Sequence, residues 1–310
     1  MASEWPPFHY NHQMFGGTEY MARGVTEKIL PHVPKFYNYL CIISPGKLPS
    51  LEREYYLDKK IIVWIHNVMS QLQDWVISTL NDPEVAKNIE FIIGVSEYHK
   101  QTLIRDFTNV PAEKFVAIPN AFEPVDFDPQ KFVDVQKVKL IHASSSYRGM
   151  EVLLGSLRDV EEDFELNVFN DFYPDATGHP FAHLAEDPRV NFWGKTPRKI
   201  VSKFMSEAHI HAYPSIWEET FCLVQAEAMS AGLLCVYSDL GALPETSLGY
   251  GIEIPYFELS DFYYAEFLTK AIRKIKNGEH DPMEQSKAVR EKYSWDQVLE
   301  HWKALEKRLK

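Results

Sequence analysis

Two glutamates, Glu219 and Glu227, bracket seven residues in a run that ends before a glycine and a short apolar stretch. If a helix starts near the first glutamate, a rise of about 1.5 Å per residue separates the carboxylates by roughly 12 Å along the axis. The hexose and the ribose of a sugar diphosphate nucleotide are separated by a comparable span. Amides of a first helical turn lack intrahelical partners and favour anions, and here they would belong to Phe221, Cys222 and Leu223. The spacing therefore indicates a nucleotide-sugar site with the diphosphate at the helix start.

The alternative is an amphipathic helix with two solvated glutamates. Taken without its context, a pair of glutamates at this spacing more often has that structure. The context favours the site, because Gly232 suits a helix C-cap and residues 233–237 suit a buried parallel strand. With the flanking Ala212–Ser215 and Gly241–Glu245, the block resembles the donor-binding signature of retaining glycosyltransferases of family 4. That family, the group 1 glycosyl transferases, has the GT-B fold.

Further segments carry the same resemblance in the same order along nearly the whole chain. They are the glycine loop Gly16-Gly17-Thr18-Glu19, the pair Val95–Tyr98 and Ile118–Ala121, the basic-Gly turn Tyr147–Leu154, and Val190–Lys195. Two departures stand out: Ala121 follows Asn120 where the family usually has Gly, and Ala143 replaces an arginine usually found five residues before the basic residue.

The elements that must position these residues alternate between strands and helices, which predicts an α/β protein. Residues 120–136 break both periodicities and indicate a linker. Residues 294–310 have helical spacing with Ser294 as N-cap, and the resemblance implies that this helix returns to the first domain. The predicted strands cover 37–44, 60–66, 89–96 and 115–119, then 137–143, 166–170, 190–193, 210–213, 233–237 and 251–254.

The resemblance implies two Rossmann-like domains that face each other across a cleft. We assign residues 1–122, with 294–310, to a reduced acceptor-side domain and residues 135–293 to the nucleotide-sugar donor domain. The first domain is expected to be short, with about four strands, because the first fifteen residues contain no credible strand. This shortening puts the usual acceptor architecture in doubt.

Strand ends supply the remaining candidates, since ligands of doubly wound sheets bind outside the carboxyl ends of strands. By resemblance, Arg148 is the cation for the leaving diphosphate, and Glu219 and Glu227 accept hydrogen bonds from sugar and ribose hydroxyls. The other candidates are Ser144, Ser145 and Ser146 as donors, Gly16 and Gly17 for close backbone approach, His66 beside the sugar or acceptor, and Trp193 with Lys195 near the base. The alternatives are a surface arginine, a glycine pair that caps a helix, and a structural histidine.

Composition is that of a globular protein: 310 residues, 45% hydrophobic and 25% charged. A net charge of −12 argues against a nucleic-acid partner. Three cysteines, Cys41, Cys222 and Cys235, are expected to be buried free thiols in a reducing compartment. Without a signal peptide or an apolar run long enough to span a bilayer, the sequence predicts a cytoplasmic protein with no transmembrane segment.

The predicted function is retaining transfer of a hexose from a UDP- or GDP-linked sugar to an acceptor hydroxyl. The acceptor is expected to be a glycan, a lipid-linked or a small molecule. The family commonly uses front-face attack without a metal, so we expect no cofactor beyond the donor. The main alternative is a non-catalytic nucleotide-sugar or glycan binding protein; a nucleotide-sugar 2-epimerase is a third. A nicotinamide dehydrogenase is disfavoured, since no Gly-x-Gly-x-x-Gly turn follows a strand.

Overall fold

A computed structural model describes residues 16–43, 53–72, 74–171 and 187–309. The described chain divides into two compact units. One unit extends to Ala121 and includes Tyr293 and the residues after it, and the other covers Phe122–Lys292. Each unit contains one parallel sheet.

Among its described residues, the first unit contains a four-stranded parallel sheet whose strands pair side by side in chain order. The two inner strands are buried on both faces, as apolar strands of parallel sheets must be. Side-chain caps start two of the helices: the Asp82 carboxylate accepts from the amide of Glu84, and the Ser96 hydroxyl accepts from the amide of His99. The elements are β1 (Leu40–Ile43), β2 (Ile61–Trp64), β3 (Ile89–Gly94), β4 (Phe115–Ala117), α1 (Gly17–Gly24), α2 (Asp74–Leu80), α3 (Pro83–Ala86) and α4 (Glu97–Asp106).

The second unit contains a six-stranded parallel sheet with helices between the strands. Its strands are β5 (Val138–Ala143), β6 (Phe164–Phe169), β7 (Val190–Phe192), β8 (Ile210–Tyr213), β9 (Leu234–Ser238) and β10 (Ile252–Ile254). The described helices of this unit are α5 (Met150–Ser156), α6 (Arg198–Glu207), α7 (Leu223–Ser230), α8 (Leu243–Ser247), α9 (Asp261–Lys276) and α10 (Pro282–Tyr293), whose last residue belongs to the first unit.

The last helix, α11 (Trp295–Glu306), packs in the first unit. Its N-cap is Ser294, whose hydroxyl accepts from the amide of Gln297, so the predicted cap is confirmed. Trp302 on this helix is fully buried, and its ring lies 5.2 Å from that of Phe36 and 5.3 Å from that of Trp64. The contact between Trp302 on α11 and Trp64 on β2 therefore packs the last helix into the core of this unit.

Strand order in the second sheet, β10-β9-β8-β5-β6-β7, creates a switch point. The chain runs from β5 outward to β7, then returns to place β8 on the other side of β5. Connections diverge at that point, so the carboxyl ends of β5 and β8 border a crevice where ligands bind in open α/β sheets. The candidate residues after these two strands are thereby neighbours.

Cys41, Cys222 and Cys235 are buried free thiols, as predicted. Burial raises the pKa of each thiol above its ordinary value, with the nearby Glu219 carboxylate as a second cause at Cys222. In the described part of the chain, no helix combines the length and the apolar character that crossing a membrane requires.

Candidate active site

The turn after β5 holds the predicted serines and the arginine in a fixed arrangement. The carbonyl of Ser145 accepts from the Arg148 amide at 3.0 Å, and the Ser146 amide donates to Asp171 Oδ1 at 3.1 Å. Burial opposes the charge of Asp171, but hydrogen bonds from the amide and hydroxyl of Ser146 and from the Asp171 amide, with the charge of Lys195, together lower the pKa of the carboxyl. The hydroxyl of Ser144 lies 3.2 Å from the hydroxyl of Tyr213 at the end of β8. The turn is therefore connected to both neighbouring strand ends.

Gly149 brings this turn against the loop that follows β8. Its φ of +95° lies in the left-handed region, and a Cβ there would lie 1.9 Å from the carbonyl oxygen of Pro214. Only glycine fits both the conformation and the space. The close approach places Arg148, the preceding residue, beside the β8 loop.

Glu219 is the central carboxylate of the site and is 5% exposed. Its Oε1 accepts from Arg148 Nη1 at 2.6 Å and from the Tyr213 hydroxyl at 2.5 Å. Its Oε2 receives no hydrogen bond from any described residue. One carboxylate oxygen is thus held by two donors, and the other remains as an acceptor.

The electrostatics of this cluster follow from burial and close pairing. Burial opposes the charge of Arg148, but the Glu219 carboxylate together with Tyr213 and Cys222 outweighs this effect, so the pKa of the guanidinium is raised. Burial and the same carboxylate raise the pKa of Tyr213 well above its ordinary value. Tyr213 therefore stays a neutral donor and Arg148 a permanent cation. The Arg148 guanidinium also lies over the Trp217 ring, 5.5 Å from its centroid.

The backbone of Glu219 is pinned to the loop after β9. Glu219 forms a parallel bridge with Gly241, and the carbonyl of Glu219 accepts from the Ala242 amide at 2.7 Å. Gly241 has φ +68°, and a Cβ there would lie 2.4 Å from the Glu219 carbonyl oxygen. The position of the carboxylate therefore depends on a contact made far along the chain.

The donor helix starts later than the sequence predicts. α7 begins at Leu223, so Phe221 and Cys222 precede its first turn, and Glu219 lies outside the helix. Cys222 is the N-cap residue in a left-handed conformation, with φ +76° and ψ +82°. The Phe221 carbonyl accepts from the Thr246 hydroxyl. The bridge at Glu219 and the turn at Cys222 explain the delay, and the helical rise therefore does not measure the separation of the two carboxylates.

Glu227 lies within α7 and is 6% exposed, with an ion-pair partner that the sequence reasoning missed. That partner is Arg198, the first residue of α6. Near the same helix start, Trp193 donates from Nε1 to Asn167 Oδ1 at 2.9 Å and stacks on Phe169, while Lys195 is exposed. Asn167 and Phe169 thus fix the orientation of the Trp193 ring.

The candidates in the first unit are described within that unit alone. Gly16 is the N-cap of α1 and Gly17 its first residue, which agrees with a helix-capping role. His66 follows β2, is partly buried, and its ring lies 4.5 Å from that of Trp64. Their roles towards a donor remain predictions.

Tyr213, Asp171 and Arg198 contact site residues, although the sequence reasoning did not select them. Tyr213 and Asp171 had a usable signal, because each lies at or just after the end of a predicted strand. Arg198 had a weaker signal as a cation in a first helical turn. No group of three or more histidine, cysteine, aspartate or glutamate side chains in the described ranges is arranged to hold a metal ion.

The chain is similar in sequence and in fold to known glycosyltransferases. Residues 139–256 match the family described as Glycosyl transferases group 1. The chain is 30% identical over 221 residues to one subunit of human phosphatidylinositol N-acetylglucosaminyltransferase, covering 67% of this chain and 44% of that protein. The chain thus spans less than half the length of that curated relative.

Solved structures share the fold at low identity. A glycosyltransferase from Rickettsia africae ESF-5 superposes with a TM-score of 0.67 at 16% identity, covering 97% of this chain and 83% of that chain. Anabaena HepE in complex with UDP and glucose superposes with a TM-score of 0.68 at 13% identity, covering 94% of this chain and 83% of that chain. The pneumococcal O-GlcNAc transferase GtfA in complex with UDP and GlcNAc superposes with a TM-score of 0.64 at 16% identity, covering 87% of this chain and 56% of that chain.

The two parallel sheets and the solved structures that superpose on the chain show the GT-B fold. The match to the group 1 glycosyl transferase family covers residues 139–256, within the second unit. The predicted family and the predicted fold class are both confirmed.

Proposed function

We propose that the protein transfers a hexose from a nucleoside diphosphate sugar to an acceptor hydroxyl, with retention of anomeric configuration and without a bound metal. The observation that carries the proposal is the group formed by Arg148, Tyr213 and Glu219 at the switch point. It combines a permanent cation with an ionisable acceptor, and transfer from a sugar diphosphate needs both.

Each member of the group has a distinct role. The Oε2 atom of Glu219 accepts from hydroxyls of the donor sugar and fixes the ring for reaction. Arg148 stabilises the diphosphate as the bond from the anomeric carbon to the phosphate oxygen breaks. Tyr213 donates to Oε1 and keeps the carboxylate oriented. Their mutual pairing preorganises the charges, so little reorganisation is needed in the transition state.

In the proposed front-face reaction, the acceptor oxygen bonds to the anomeric carbon on the face that the diphosphate leaves. The acceptor proton passes to the departing phosphate oxygen, which balances the charge. No separate carboxylate nucleophile is required by this route. Glu227 accepts from the ribose, and for His66, Gly16 and Gly17 we propose the roles that the family resemblance implies.

UDP-linked sugars are the donors to test first. HepE and GtfA were solved with UDP, and the human relative belongs by its name to a phosphatidylinositol N-acetylglucosaminyltransferase. We propose UDP-N-acetylglucosamine and UDP-glucose as candidate donors and phosphatidylinositol as a candidate acceptor. GDP- and ADP-linked sugars serve as comparisons.

The test is a panel of UDP-, GDP- and ADP-sugars, measured by thermal shift and by nucleotide release, with either EDTA or Mg²⁺. Selective stabilisation with release that persists in EDTA is expected. A matched Glu219→Gln variant should retain most nucleotide affinity and lose release. Binding without release for every acceptor would favour a non-catalytic binding protein. No binding at all would contradict the proposed site.

A further inference from the structure

We infer that Arg198 is a positioning residue of the nucleotide site, whose guanidinium orients the Glu227 carboxylate so that it accepts from the ribose of a nucleoside diphosphate. The inference rests on the proposed function and adds a residue to it. It starts from the ion pair between the two side chains.

The burial of Glu227 creates the need for a partner. All residues of α7 from Gln225 to Ser230 are buried, and the side chain of Glu227 is 8% exposed. An ionised carboxylate that loses water at this depth requires a cation or several donors to remain charged. The Arg198 guanidinium supplies this compensation.

Arg198 can orient Glu227 because its own backbone is held. It is the first residue of α6 and follows Pro197, whose ring restricts φ to −55°. Just before them, the Thr196 hydroxyl donates to the carbonyls of Trp193 and Gly194 at 3.1 and 3.3 Å. The guanidinium is therefore presented from a fixed turn and not from a mobile loop tip.

The pair also leaves room for a ligand. A carboxylate has about four lone-pair sites on two oxygens, and the ion pair engages Oε1. Arg198 keeps 40% of its side chain exposed, so a ligand can reach the edge of the pair from solvent. Ribose presents two adjacent hydroxyl donors, which match an oriented carboxylate. A deoxygenated sugar lacks these donors.

The experiment compares the affinity of a ribonucleoside diphosphate with that of its 2′,3′-dideoxy analogue. UDP is the first probe, replaced by GDP or ADP if the wild type prefers one of them. The wild type should prefer the ribose form by roughly tenfold or more. Arg198→Met should reduce this preference to about threefold or less, and Arg198→Lys should restore part of it. Turnover of the donor should show a raised KM with a smaller change in kcat.

Two controls separate positioning from folding. Lys203→Met removes an exposed cation from the same helix and should keep the wild-type preference. In a Glu227→Gln background, Arg198→Met should cause little further loss, because Arg198 acts through that carboxylate. Thermal unfolding verifies that each variant is folded.

The outcomes are distinguishable. If the wild type binds no nucleoside diphosphate, the proposed function fails. If the wild type prefers the ribose form and Arg198→Met keeps the same preference, the inference about Arg198 fails while the function stands. An additive loss in the double variant would also overturn it, because Arg198 would then act on another part of the ligand.

Discussion

The hydroxyl of Tyr213, on the last residue of β8, donates to Glu219 Oε1 at 2.5 Å, and this bond joins the sheet to the site. Tyr213 is fully buried, so its ring cannot move without disturbing the packing. The Arg148 guanidinium binds the same oxygen from the opposite loop. Glu219 is thereby held between the ends of β5 and β8, and the orientation of its second oxygen, Oε2, is fixed.

Tyr213→Phe should lower kcat/KM for the donor sugar while the fold is retained. The change removes one donor to a buried carboxylate, worth about 1.5–3 kcal/mol, or roughly ten- to a hundredfold. Steady-state kinetics with the best donor measures it. Tyr237→Phe is the matched control, since that hydroxyl donates to the Tyr250 carbonyl and to Glu253 Oε2, each at 3.3 Å. Equal kcat/KM for wild type and Tyr213→Phe would show that Arg148 alone positions the carboxylate.

Arg148→Ala should weaken nucleoside diphosphate binding by about 1.5–3 kcal/mol, because a charge-assisted bond to phosphate is lost. It should also destabilise the fold, since Glu219 would remain buried without its cation. Calorimetric titration with UDP and urea unfolding measure the two effects. Arg158→Ala, which removes an arginine from an exposed surface pair, is the control for both. Unchanged UDP affinity would remove Arg148 from the donor site.

Local sequence patterns predict the scaffold of the second unit well. β8 has the predicted bounds, Ile210–Tyr213, because a short apolar run between turn residues defines it. Gly232, predicted as a C-cap, follows α7 with φ +79°. These features depend on residues close in sequence, so the pattern alone suffices to predict them.

The conformation of Glu219 could not be predicted in the same way. The sequence suggested a helix from Glu219 onward, but the bridge to Gly241 holds this residue in an extended segment. The left-handed turn at Cys222 then delays the helix to Leu223. Both contacts depend on tertiary packing, as does the pairing of Arg198 with a residue on another helix. Helical periodicity carries no information about such contacts.

Gly241→Ala should destabilise the protein and reduce donor turnover together. A Cβ at this position would lie 2.4 Å from the Glu219 carbonyl oxygen and 2.7 Å from the Glu219 amide nitrogen, so the site backbone must shift. Gly278→Ala is a matched control, because Gly278 has the same φ of +68° and nothing within 4 Å of the added Cβ. Left-handed strain alone costs roughly 1–2 kcal/mol.

Urea unfolding and donor kinetics on both glycine variants separate these effects. The free energy of unfolding should fall in both variants because of the left-handed strain. In Gly241→Ala it should fall by a further amount of about 1 kcal/mol or more, which is the size expected for overpacking. Gly278→Ala should keep its turnover. Equal stability loss and equal kcat/KM in the two variants would show that the contact with Glu219 does not fix the site.

Two fully buried histidines in the second unit, His142 and His211, should make the stability of the protein depend on pH. Burial lowers the pKa of His142 to about 4 and, with the charge of His142 as a second cause, that of His211 to about 3. Their hydrogen bonds agree with neutral rings. The Gln225 amide nitrogen donates to Ser247, so its oxygen faces His211 Nδ1 and accepts from it at 2.9 Å. His142 Nδ1 donates to the Ala212 carbonyl at 2.9 Å.

The free energy of unfolding should therefore fall as the pH drops below about 6.5, since these histidines then bind protons in the unfolded chain but stay neutral in the folded chain. Each lowered pKa contributes stability that is full above the unfolded value and is lost on acidification towards the folded value. Between pH 7.5 and 5.0 the loss is about 2 kcal/mol per histidine. Urea unfolding at these pH values measures it. His211→Gln should be less stable at pH 7.5 yet lose about 2 kcal/mol less on acidification, whereas His301→Gln, at an exposed position, should follow the wild type. If His211→Gln lost as much free energy of unfolding on acidification as the wild type, His211 would not be a source of the pH dependence.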